Sequence, residues 1–283
     1  METQWSLLLF AVFGGMGMGI LTYVSIHVLA RMESTLNDKG VIASLALLFV
    51  GGACSSSHMG HPDKALYVLS NLESGISQEL IATAIATCAS LALLYTLKKK
   101  GSSESTRRIV ASFALVTSLA LPAIMGHAYL MEARPALNTW ALPFLFLCNA
   151  LAMGASAAAL LARVFQSGAD ELRRSHLWAL AGIAAFACSV VVWLSAVGVA
   201  YEPDYSRSVA RIATGDLAPL FWGGVVIAGM VVPFGAHCAA KPDSHATAGL
   251  GAAALGLTGI FIGSVTVRIV MYAIATSVQS FIY

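Results

Sequence analysis

The sequence predicts an all-α integral membrane protein, a bundle of about eight transmembrane helices with both termini on the outer, periplasmic side. Three observations carry that reading. Of 283 residues, 58% are hydrophobic and 11% charged, whereas a soluble domain carries about 25% charged residues. Mean hydropathy is +0.79. Apolar runs of roughly the 20 residues needed to cross a bilayer recur along the whole chain, and the basic residues gather in alternate connections.

Breaks in hydropathy, marked by charges and by Gly or Pro, set the spans at residues 6–30, 40–57, 77–97, 108–131, 139–163, 176–200, 217–239 and 247–277. The first apolar stretch has no basic residue before it and is too long for a signal-peptide core, so it reads as a retained span. The second span is the shortest. The last exceeds what a bilayer needs, which predicts tilt or a projecting end. With the amino terminus outside, eleven of the sixteen Lys and Arg residues fall in inner connections. Four lie outside (Lys64, Arg134, Arg207 and Arg211), and Arg268 lies within the last span. Positive charge is retained on the cytoplasmic side, and this bias sets the orientation. Gly15 and Gly19 form a GxxxG pair, read as ordinary packing between neighbouring helices. With no repeat, linker or low-complexity tract, residues 1–283 are treated as one transmembrane helical domain. The outer segment YEPDYSRSVARIATGDL, between the sixth and seventh spans, is either a short surface helix or a loop.

These features exclude several classes of function. Eight spans leave no room for a soluble catalytic domain. A net charge of +2, spread over many loops, lacks the basic stripe of a nucleic-acid-binding surface. The five cysteines form no CxxC pair and no iron–sulfur series, and Cys88, Cys148 and Cys188 lie inside apolar runs as packing residues.

The densest polar chemistry lies in the outer connection from Cys54 to Leu80. His58 and His61 stand three residues apart, Pro62 discourages helix continuation, and Glu79 falls in the first turn of the third span. Quinol oxidation releases two electrons and two protons, so its site needs a group that bonds the ring oxygen and accepts a proton near neutral pH. Imidazole suits that task, and a carboxylate just inside the membrane can relay the proton outward. Two further residues point to the same face. Arg268 interrupts the last span at a cost of about 2.5–3.5 kcal/mol if it sits near the bilayer centre, and Tyr272 follows one turn later on the same helix face. Each also has a plainer reading: His58 and His61 as interfacial loop residues, and Arg268 as a snorkelling anchor. His127, near Tyr129, Glu132 and Arg134, reads as a packed histidine bonded to a carbonyl. The histidines cluster near the two ends, with none central, so neither haem nor metal is expected in this chain.

The order of these features resembles the membrane-anchor subunit of anaerobic dimethyl sulfoxide reductase, the DmsC family. HMGHP at His58 to Pro62 is similar to that family's His-x-Gly-x-Pro. SNLESGISQEL is similar to the stretch ending in Ser-x-Glu at its third helix, and Arg268-x-x-x-Tyr272 is similar to its last helix. The resemblance covers the whole length in size, span number and outer termini. The sequence departs from the pattern at His61, where a small residue is usual, and at Gln78. The resemblance implies an eight-helix anchor that oxidises menaquinol and binds an iron–sulfur subunit, which feeds a molybdopterin catalytic subunit. Carried over by position, His58 is the quinol-site histidine and Glu79 its acidic partner, with His61, Arg268 and Tyr272 lining the site. Two alternatives remain: a related polysulfide-reductase-like quinone-reactive anchor, and a small-solute transporter. Against the transporter, broken helices and polar residues at the midplane are its usual mark.

Overall fold

The computed structural model describes residues 3–57, 67–199, 203–240 and 246–274. Among them, eight helices are long and apolar enough to cross a membrane. They are α1 (Trp5–Leu29), α2 (Asn37–Ser56), α3 (Gly75–Lys98), α4 (Glu104–His127), α5 (Ala141–Val164), α6 (Ala169–Val199), α8 (Leu220–Ala239) and α9 (Ala246–Ile274). A short helix, α7 (Pro203–Ala213), lies between α6 and α8. Within the YEPDYSRSVARIATGDL segment, residues Pro203–Ala213 thus form a strongly amphipathic helix.

Of the boundaries that differ from the hydropathy reading, two do so for identifiable reasons. α6 begins seven residues early because the polar ADELRRS stretch continues the helix, with Asp170 and Glu171 in its first turn. Glu171 fixes that extension by accepting hydrogen bonds from the Ser34 hydroxyl and from the Thr35 N–H at 3.0 Å. α4 ends at His127, four residues before the expected limit, and the chain turns through a short 3₁₀ segment at Pro135–Leu137. Within α8, residues Leu220–Val231 are wound as a π-helix. Pro233 lacks the N–H that would bond the Gly229 carbonyl, so the hydrogen-bond register cannot run through it unbroken.

α1 and α5 are the central helices, buried along most of their length, while the other spans leave much of their apolar surface facing lipid. Small residues make the centre possible. Gly19 of α1 lies against the backbone of Ala150 and Gly154 on α5, so close that a Cβ on Gly19 would stand 2.1 Å from the Ala150 carbonyl oxygen. A Cβ on Gly154 would stand 2.1 Å from the Gly19 carbonyl carbon. The GxxxG pair is thus an internal seam, as small residues at membrane helix interfaces usually are.

Contacts at the two ends show how the spans alternate. At the end predicted to be inner, Arg31 pairs with Glu104 at 3.1 Å, and the Lys39 ammonium lies 4.2 Å from the centre of the Phe165 ring. At the opposite end, Tyr272 meets Tyr129, and Arg211 reaches the Ala273 carbonyl. Replacing Gly154 by Val is expected to destabilise the bundle by about 3 kcal/mol, at the upper end for overpacking. Thermal unfolding of the detergent-solubilised chain checks this, and a melting temperature unchanged from the native protein would refute the seam.

Candidate functional site

The charge within the last span decides the geometry of the end of the bundle that holds Tyr129 and Tyr272. Arg268 is 3% exposed, so it does not snorkel. Its Nη1 donates to Asn149 Oδ1 of α5 at 2.7 Å and to the Ser264 carbonyl at 2.9 Å. Asn149 Nδ2 in turn donates to the Ser264 hydroxyl at 2.8 Å, which itself donates to the Ile260 carbonyl at 2.7 Å. The guanidinium carbon stands 4.5 Å from the centre of the Phe146 ring, a cation–π contact made in desolvated surroundings. Arg268 Nε is buried and has no partner among the described residues. The narrow crevice between Phe146, Asn149, Arg268 and Met271 has no room for a water-sized guest.

One turn nearer the end of α9, the buried Tyr272 hydroxyl donates to that of Tyr129 at 3.1 Å, and the two rings meet edge-to-face with centroids 5.9 Å apart. Tyr129 also packs on Phe146 at 5.4 Å. Burial first, and then the neighbouring Tyr272 and Glu79, push the Tyr129 hydroxyl well above its ordinary value, against an opposing pull from Arg268. It therefore stays a neutral donor and acceptor at working pH. α7 closes over this end, since Arg211 joins the Ala273 carbonyl at 3.3 Å while its Nη2 pairs with Asp216 at 2.7 Å.

Glu79 is the partly exposed carboxylate on this face. Two local features place it there. The Ser77 hydroxyl, fully buried, bonds the Asn71 carbonyl at 2.6 Å and the Val68 carbonyl, which ties the end of the preceding connection to the start of α3. Gly75 lies so close to Ala128 that a Cβ would meet the Ala128 Cα at 2.9 Å, which brings the start of α3 against the end of α4. Tyr129 follows immediately. Three expected site residues, Glu79, Arg268 and Tyr272, thus converge at one end of the bundle. His58 and His61 lie outside the described residues. His127, expected to be packed, is exposed at the end of α4, because the chain leaves the helix there and turns Tyr129 inward instead.

A second buried polar group lies at the opposite end. His176 of α6 and His237 of α8 face each other with their Nδ1 atoms 3.0 Å apart, and His237 Nε2 lies 3.2 Å from the Ser156 hydroxyl. Among the described residues, no set of three or more His, Cys, Asp or Glu side chains is placed to hold a metal ion.

The family described as "Polysulphide reductase, NrfD" matches residues 2–276, nearly the entire chain. The chain belongs to the NrfD family. No curated protein matches it. As an NrfD-family protein it is a multi-pass anchor subunit of the cytoplasmic membrane, belonging to a respiratory complex of the iron–sulfur molybdoenzyme type. The match favours the polysulfide-reductase-like anchor over the narrower dimethyl sulfoxide reductase resemblance, whose specific part was the HMGHP and SNLESGISQEL stretches and the Arg268-x-x-x-Tyr272 pattern.

The sequence pointed to Glu79, Arg268 and Tyr272 but not to Asn149, Phe146, Ser264 or the role of Tyr129 in this NrfD chain. One signal for Asn149 was present, as it is the single amide inside an otherwise apolar fifth span. Asn149→Leu is expected to lower stability by about 3 kcal/mol, because a buried guanidinium loses its acceptor. The double variant Asn149→Leu/Arg268→Met removes the charge as well and should recover most of that loss. Thermal unfolding of both checks this, and equal losses would show that Asn149 matters for its shape rather than for Arg268.

Proposed function

We propose that this chain oxidises a quinol at the end of the bundle where Glu79, Tyr129, Tyr272 and Arg268 meet, and passes the electrons to an iron–sulfur partner subunit, which serves a molybdopterin catalytic subunit. The observation that carries the reading is the Arg268 guanidinium, buried in the bundle with one nitrogen unpartnered and with a tyrosine pair and a carboxylate between it and the surface. Intramembrane charge is costly and belongs to function by default.

The chemistry follows from the residues. A quinol hydroxyl becomes easier to oxidise as it loses its proton, so a site needs a base at the hydroxyl and positive potential behind it. Glu79 is the base on the accessible side, and the proton leaves outward from it. Arg268 supplies a fixed positive charge that favours negative charge developing on the ring oxygen. Tyr272 and Tyr129 form a neutral hydrogen-bonding pair between them that orients the ring oxygen without competing for its proton. His58 and His61, on the connection leading to α3, are the second candidate base, with His58 as the first choice. Two electrons leave for the partner's cluster, and two protons leave on the outer side.

The quinol type and the class of complex rest on finer ground. Menaquinol and a sulfoxide-reducing partner follow from the HMGHP and Arg268-x-x-x-Tyr272 resemblance, while the family match favours a polysulfide-reductase type of complex. In either case, the catalytic subunit selects the terminal acceptor.

The test is oxidation of a menaquinol analogue by membranes carrying the intact complex, comparing the native chain with His58→Ala, Glu79→Gln and Tyr129→Phe at matched complex abundance. Loss of a general base typically costs at least about 100-fold, so Glu79→Gln should lose quinol oxidation by that factor, with His58→Ala similar and Tyr129→Phe smaller. Activity of the partner subunits with an artificial electron donor should be preserved. Unchanged quinol oxidation in both Glu79→Gln and His58→Ala would overturn the site.

A further inference from the structure

At the opposite end of the bundle, α1 and α6 each pack along α5 but scarcely on one another. Between them runs a groove with α5 as its floor. It holds a cavity of about 200 Å³ lined by Gly19 and Tyr23 of α1, Ala155 of α5, and Trp178, Ala181 and Ala185 of α6. Small side chains make the room, and the lining is almost wholly apolar. Ala181 is exposed, so the groove opens sideways toward lipid, and the half-exposed Trp178 stands edge-on to Tyr23 with centroids 6.5 Å apart. Trp178, Ala181 and Ala185 follow the i, i+3, i+7 spacing of one helix face, which extends the slot about 10 Å along α6.

The same face begins with Arg174, one turn before Trp178. There a second, open cleft of about 510 Å³ carries both signs of charge, lined by Arg174 and by the exposed Glu33 and Asp170. Glu171 also borders it, but both of its oxygens are engaged by Ser34 and Thr35. Two donors there are unsatisfied. Among the described residues, the Tyr23 hydroxyl is buried without a hydrogen-bond partner, in a side chain 2% exposed, and Arg174 Nε is likewise unpartnered. Among the described residues, the hydrogen bond that Arg174 makes is to the Glu33 carbonyl, at 3.4 Å.

An apolar slot open to lipid, a buried hydroxyl lacking an acceptor, and a mouth that carries one cation and two carboxylates together describe an amphiphile with a zwitterionic head. We propose that this groove holds one molecule of phosphatidylethanolamine, with its phosphate on Arg174, its ammonium toward Glu33 and Asp170, and an acyl chain between Trp178 and Tyr23. An ester oxygen is the acceptor that Tyr23 lacks. A quinone headgroup carries no charge and would leave the mouth unused. An anionic lipid would meet the two carboxylates without compensation. The proposal is independent of the quinol reading, whose residues lie at the other end of the bundle.

The full chain, delipidated in detergent, is titrated with phosphatidylethanolamine, phosphatidylglycerol or a short-chain menaquinone, and retained ligand is counted by native mass spectrometry. One phosphatidylethanolamine per chain is expected, held about tenfold more tightly than phosphatidylglycerol, as expected for one charge-assisted contact. Arg174→Gln and Ala181→Phe should each lower its retention about tenfold, and Glu33→Gln/Asp170→Asn should erase the preference over phosphatidylglycerol. As a measurement on the unaltered groove, phosphatidylethanolamine with brominated acyl chains should quench the native chain's tryptophan fluorescence more than that of Trp178→Phe. Equal retention of the two phospholipids, displacement by menaquinone, unchanged retention in Arg174→Gln, or no quenching that depends on Trp178 would each overturn the proposal.

Discussion

A guanidinium inside a membrane-spanning bundle has no water to fall back on, so whatever compensates it fixes the positions of the elements that do so. Arg268 is compensated by Asn149 and the ring of Phe146, both on α5, and by the Ser264 carbonyl one turn back on its own helix. These contacts set the rotation and depth of α9 against α5. The same α9 face carries Tyr272, which therefore meets Tyr129, and Tyr129 sits where it does because α4 ends at His127 and Gly75 lets α3 approach Ala128. The cluster at this end is a consequence of that one buried charge and of the close helix approaches around it.

α5 organises the interior through its small and polar residues. Ala150 and Gly154 form the seam with Gly19, which brings α1 close enough for backbone to touch backbone. Asn149 and Ser156, seven residues apart and so on one face of the helix, each satisfy a polar side chain from another span, Arg268 in the first case and His237 in the second. The two contacts lie about 10 Å apart along the axis. These polar interactions are thus confined to two points on one face of α5, while the dry seams between them rest on close packing, which in lipid replaces the hydrophobic effect as the force between helices.

Much of this was legible in the sequence for direct physical reasons. Span number followed from length and hydropathy, because a bilayer admits only helices of a certain length. Arg268 declared itself because a charge in an apolar run has a cost that needs a cause. Glu79 and Tyr272 followed from their positions beside a span end and one turn from that arginine. Asn149, Phe146 and Tyr129 were harder, since an amide, a phenylalanine and a tyrosine near span ends are each unremarkable until the helix opposite them is known. The early start of α6 was missed because hydropathy sees the membrane rather than the helix, and ADELRRS is helical but polar.

The sequence by itself determined that this chain lies in a membrane, how often it crosses, and which of its residues are too costly to be there without a purpose. Those properties depend on composition and on period along a single helix, and the bilayer imposes them on each segment independently. The tertiary structure alone decided which acceptor meets Arg268, that Tyr129 rather than His127 turns inward, that His176 and His237 face one another, and that α1 and α6 part to leave a groove over α5. Each of these depends on the relative rotation of helices far apart in the chain, which contacts at Gly19, Gly154 and Gly75 settle and no single-helix pattern encodes.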